Sequence, residues 1–133
     1  LFAFKVAKAI GCMLHIFHAV DVSAAQIGKE KSQQTIEERI AEANEKIEQR
    51  YVSQMEDFEN YTVSVWEGIP YVEVVKYARE KHADLIVMGT HGRGGLAHVL
   101  IGSVTEKAIR RSPCPVLVIP PALESDVDEG GSP

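Results

Sequence analysis

The order of the segments predicts an α/β fold, a three-layer, doubly wound parallel sheet. Three observations carry that expectation. Runs that read as strands alternate with runs that read as helices from Leu14 to Ile119. No two-residue hairpin signal such as Asn-Gly joins any two of the strand runs, so each connection is long enough to be a crossover. The later strand runs, Leu85-Ile86-Val87-Met88 and Val116-Leu117-Val118-Ile119, are apolar on both faces, as strands of a parallel sheet covered on both sides are.

The elements follow in chain order. Phe2, Val6 and Ala9 recur at helical spacing and Gly11 stands where a helix would stop, so Phe2 to Ile10 reads as a helix. Leu14 to Val20 is a strand, and Asp21 to Lys31 a polar connection. Thr35-Ile36-Glu37-Glu38 has the spacing of a capping box. A long amphipathic helix is expected after it, with its apolar stripe at Ile36, Ile40, Ala43, Ile47, Tyr51, Met55 and Phe58 and a solvated outer face. Tyr61 to Trp66 alternates as a strand with one well-covered face, and Trp66 reads as strand packing. Pro70 suits the first turn of a helix that turns Tyr71, Val74, Val75 and Ala78 inward. Leu85 to Met88 is a central strand, Gly89 to Ile101 a glycine-rich loop, Ser103 to Ser112 a helix with Val104 and Ala108 inward, and Val116 to Ile119 a last strand.

Composition sets the class. The 133 residues are 45% hydrophobic and 25% charged with a net charge of −5, the profile of one soluble globular domain. It is read as a folded part over 1–120 and an acidic, disordered tail over 121–133. That tail holds Glu124, Asp126, Asp128 and Glu129 and no base, which leaves the body close to neutral. Such a chain carries no nucleic-acid footprint. No apolar run reaches the ~20 residues of a membrane helix, and Leu1-Phe2-Ala3-Phe4-Lys5 lacks the order of a secretory signal. Cys12 and Cys114 are too few and too far apart for a disulfide scaffold or a zinc site and read as buried, inert thiols. A reducing, cytoplasmic setting is expected. None of the five histidines pairs at metal-ligand spacing; His15 and His18, three apart on a strand, face opposite ways.

Parallel sheets bind ligands beyond the carboxyl ends of their strands. The segment after Met88 is the specialised one: Gly89, then Gly92 after two intervening residues, then Gly102-Ser103 after nine more, at a helix start. Glycines bring backbone amides close to a phosphate, and a helix N-terminus favours an anion. Ser103 could cap its helix or offer a hydroxyl, and Arg93 could supply countercharge. Arg93, Lys107, Arg110 and Arg111 face only Glu106 between Gly89 and Ser112, which suits a small anionic ligand. Spacing alone leaves open a plain loop with Ser103 as its cap. No Walker A pattern occurs, and Gly92-Arg93-Gly94-Gly95-Leu96-Ala97 follows a late strand, not the first, so it is not a dinucleotide fingerprint.

The pattern Gly89-x2-Gly92-x9-Gly102-Ser103 resembles the ATP-binding signature of the universal stress protein family. Gly68-Ile69-Pro70, the run from Ala83 to Gly92, Gly102 to Lys107, and Ser112 to Val118 are similar to the same family. The resemblance implies a Rossmann-like sheet of strand order 3-2-1-4-5, with Leu14 to Val20 as its second strand. The family's first strand, ending in an aspartate at the adenine, has no counterpart, so the chain is expected to be short at its front by one strand. It implies ATP, or AMP or ADP, as ligand, with Mg²⁺ accompanying ATP. Ala19 and Met88 would lie by the base. Gly89, Gly92, Gly102, Ser103 and Val104 would hold ribose and phosphates, with His91 and Arg93 in the loop. A homodimer through the edge strand Val116 to Ile119 is implied as well, in keeping with an apolar edge that needs cover. The expected role is a nucleotide-dependent switch or partner-binding module in stress response, its protein partners unspecified. The alternatives are a slow ATPase or nucleotidyl-transferring enzyme of the same fold, or a dimeric interaction module without nucleotide.

Overall fold

The computed structural model describes residues 2–21, 34–90 and 101–121. They form α1 (Phe2–Ile10), β1 (Leu14–Val20), α2 (Ile36–Arg50), a 3-10 turn (Val52–Gln54), β2 (Tyr61–Glu67), α3 (Pro70–Glu80), β3 (Ile86–Gly89), α4 (Ser103–Arg111) and β4 (Val116–Ile119). Helix and strand alternate as expected. The polar connection lies almost wholly, and the acidic tail except for Pro121, outside the described residues.

The four strands make two parallel sheets of two, β1–β2 and β3–β4. β1 runs beside β2 in register over seven pairs, from Leu14 with Tyr61 to Val20 with Glu67. β3 runs beside β4 over four, from Ile86 with Val116 to Gly89 with Ile119. These are the 3-2 and 4-5 neighbours of the expected order, in which the second and fourth strands each adjoin the first and not one another. Among the described residues β3 therefore has one neighbour, β4, where its apolar run suggested a central strand. The chain groups into two compact units, one of Phe4–Val74 and one of Leu1–Ala3 with Val75–Pro133.

In the first unit α1 stops at Gly11, whose φ of +81° only glycine adopts freely and whose amide donates to the Ala7 carbonyl at 2.8 Å. Phe4 meets Phe58 edge-on at 5.6 Å. Phe17 and Trp66 meet the same way at 5.3 Å across the sheet, the strand packing expected of Trp66. The capping box is present at both of its bonds. The Glu38 amide donates to Thr35 Oγ1 at 3.1 Å and the Thr35 amide to Glu38 Oε1 at 3.0 Å.

The long helix is shorter than its stripe. α2 ends at Arg50, and Tyr51 starts a 3-10 turn that carries Met55 and Phe58 out of the helix. Ser53 Oγ donates to the Gln49 carbonyl at 2.6 Å and Gln54 Nε2 to the Arg50 carbonyl at 2.7 Å. These side chains satisfy carbonyls that a continuing helix would have used, so the helix can stop there at little cost. Met55 is still the largest fully buried side chain among the described residues, 1% exposed. Cys12 is exposed, contrary to its expected burial, because it directly follows the turn at Gly11; Cys114 is half-buried.

Candidate functional site

The second unit sets out the expected phosphate half of the site from β3 to α4. β3 carries Met88 and ends on Gly89. Met88 pairs with Val118 and Gly89 with Ile119. At the other end of the loop stand Gly102, Ser103 and Val104. His91, Gly92 and Arg93 lie outside the described residues. Ala19 belongs to the first unit, buried as the last residue but one of β1 and paired with Trp66.

Two hydrogen bonds bring the ends of this loop together. The Gly102 amide donates to the Thr90 carbonyl at 2.6 Å. Thr105 Oγ1 donates to the Gly89 carbonyl at 2.8 Å. Gly89 and Thr90 at the end of β3 are thus tied to Gly102 and Thr105 at the start of α4. Thr105 is 4% exposed and is the buried polar residue of the described core.

The start of α4 corrects one expectation. Ser103 is not the cap. Gly102 is, extended at φ −71° and ψ 164°, and among the described residues no side chain caps the helix start. Ser103 is the first helical residue and is exposed. The amides of Ser103, Val104 and Thr105 lie in the first turn, where helix geometry gives them no intrahelical acceptor. A side-chain cap would have used one of them. Glu106, the acid of the first turn, is drawn to Arg110 at 3.2 Å and so opposes an anion less than a bare carboxylate would. Arg110 and Arg111 lie in the last turn, where they complement the helix dipole. Amide donors, a positive helix end and an exposed hydroxyl fit a phosphate.

Thr105 is the residue of this arrangement that its sequence position could have disclosed. It stands three residues before Ala108, on the inward face of α4, and a hydroxyl buried there requires a partner.

A second special backbone position lies where β2 meets α3. Gly68 has φ +146°, and its amide donates to the Val20 carbonyl at 2.9 Å. A Cβ placed on Gly68 would stand 2.6 Å from Glu73 Cγ, so both conformation and space select glycine there. This accounts physically for the first residue of Gly68-Ile69-Pro70.

Comparison with known proteins agrees with this geometry. The profile of the universal stress protein family matches residues 1–120. Universal stress protein MJ0531 of Methanocaldococcus jannaschii is 35% identical over 119 residues, spanning 88% of this chain and 70% of the relative. The structure of universal stress protein UspA from Lactobacillus plantarum is similar with a TM-score of 0.73 and 28% identity, over 88% of this chain and 83% of that one. A universal stress protein solved in complex with cAMP is similar with a TM-score of 0.56 and 27% identity, over 88% of this chain and 80% of the other. With its profile, its parallel α/β architecture and its loop spacing in accord, the chain belongs to the universal stress protein family.

Proposed function

We propose that this protein binds an adenine nucleotide, ATP foremost, with its phosphates on the loop between β3 and α4, and acts as a nucleotide-dependent switch or partner-binding module in stress response. The observation that carries the reading is the uncapped first turn of α4, tied at its base to the end of β3. Amides of Ser103 and Val104 would hold a phosphate, Gly89, Gly92 and Gly102 would let backbone approach it, and His91 and Arg93 would add charge or hydrogen bonds. Ala19 and Met88 would border the base. The relative in complex with cAMP supports adenine, ribose and phosphate as the recognised chemistry. Accompanying ATP, Mg²⁺ would supply countercharge to the phosphates.

A homodimer through β4 belongs to the same reading. Leu117 on this strand is 38% exposed, a large apolar side chain at a sheet edge. Strand pairing with a second copy would cover it. Sedimentation of a Leu117→Lys variant is expected to show the monomer; an unchanged dimer would place the interface elsewhere. The cytoplasm is the proposed setting.

Calorimetric titration with ATP, AMP and cAMP tests the binding. Saturable binding of at least one, lost with a bulky residue in place of Gly92, is the expected result. No heat with any of the three would remove nucleotide from the account, and unchanged affinity in the Gly92 variant would remove the loop.

A further inference from the structure

We infer that Thr105 is a positioning residue for the phosphate loop, setting the reach of the α4 amides without touching the ligand. The inference rests on the nucleotide reading above and deepens it.

A threonine inside a helix commonly returns its hydroxyl to a carbonyl one turn back. Thr105 does otherwise. Its Oγ1 donates to the Gly89 carbonyl, 16 residues away, at 2.8 Å. The acceptor is the last residue of β3, and the donor sits in the first turn of α4. One residue further along the chain, the Thr90 carbonyl accepts the Gly102 amide at 2.6 Å. The two carbonyls that leave β3 in succession are therefore both held by the start of α4. The loop with His91, Gly92 and Arg93 begins and ends on this base.

The consequence is geometric. A phosphate held by the first-turn amides of α4 beyond the end of β3 needs a helix start fixed relative to that strand. The Gly102 bond alone is backbone to backbone and leaves the helix free to pivot about its cap. The Thr105 bond, three residues into the helix, removes that pivot. Thr105 is 4% exposed and Ala108, one turn on, is fully buried, so the hydroxyl works in a setting without competing water.

The test compares Thr105→Val, which keeps shape and loses the donor, with Thr105→Ser, which keeps the donor. Ile47→Val, buried on α2 in the other compact unit, serves as a control for thermal stability alone. ATP affinity is measured by titration well below the melting point, and exchange of the Gly102 amide is followed in the absence of nucleotide. Thr105→Val is expected to weaken ATP about tenfold, the factor of ~1.4 kcal/mol that one hydrogen bond can supply. Gly102 should then exchange faster. Thr105→Ser should stay within about threefold of wild type, and Ile47→Val should lower the melting point without moving the affinity. Wild-type affinity in Thr105→Val would overturn the inference while leaving the nucleotide reading intact. Should the wild-type chain bind no ATP, the nucleotide reading fails, and Gly102 exchange decides the rest. Faster exchange in Thr105→Val would uphold the tie between β3 and α4, and unchanged exchange would overturn it.

Discussion

Two of the three described helices that follow a strand, α2 and α4, start in opposite ways. α2 closes its own first turn, with Thr35 and Glu38 bonding reciprocally to one another's amides. α4 opens on Gly102, and among the described residues no side chain caps it. The same physical deficit, amides without acceptors, is met inside the chain at one helix and left for something else at the other. Replacing a capping threonine by alanine costs about 1 kcal/mol, whereas glycine at the cap gives up only a few tenths, so α4 forgoes little by opening on Gly102. On the proposed reading, the difference separates a helix that closes its own first turn from one that offers it to an anion.

Several substitutions would break or sharpen that contrast. The largest effect is expected in the unit that holds α2. Met55→Ala, at a side chain 1% exposed, should cost about 2–5 kcal/mol in denaturant unfolding. A loss below that range would mean that the turn after α2 contributes little to the core. Gly68→Ala should cost about 1–3 kcal/mol from its positive φ and its collision with Glu73. The double variant with Glu73→Ala should recover the steric part and keep the backbone part. Gly102→Asp installs at α4 what α2 already has. It should reduce ATP affinity at least tenfold by placing a carboxylate where phosphate is read, while raising stability by a few tenths of a kcal/mol. Thr35→Ala completes the contrast with a loss of about 1 kcal/mol of stability and no change in ATP affinity. If Gly102→Asp left affinity unaltered, or Thr35→Ala lowered it, the division of labour between the two helix starts would be wrong.

Local signals in the sequence were sufficient for most of the fold. The capping box at Thr35 and Glu38, the Gly11 stop and Pro70 in the first turn of α3 each act over a few residues, and each stands where it was read. The end of α2 was not legible, because Tyr51, Met55 and Phe58 keep helical spacing through a 3-10 turn. What stops the helix is a pair of polar side chains, Ser53 and Gln54, bonding to carbonyls behind them, and hydrophobic periodicity does not register that. Ser103 could be read either as the cap of α4 or as a hydroxyl for a ligand; α4 starts at Ser103 as read, and the extended Gly102 before it is the cap. The division of the strands into two pairs depends on which strand neighbours which, a long-range property that only the family resemblance supplied. Of the site, the glycine spacing marked the loop, whereas the tie from Thr105 to Gly89 spans strand and helix and has no local signature beyond a polar residue on an inward face.

The central claim is that the first turn of α4 holds phosphate. It is tested most directly by following backbone amide resonances during titration with ATP and, separately, with adenosine. ATP should shift the amides of Ser103 and Val104 and leave those of Ile36 to Glu38 in place, and adenosine should leave both sets in place. Saturable ATP binding with Ser103 and Val104 unmoved would contradict the claim.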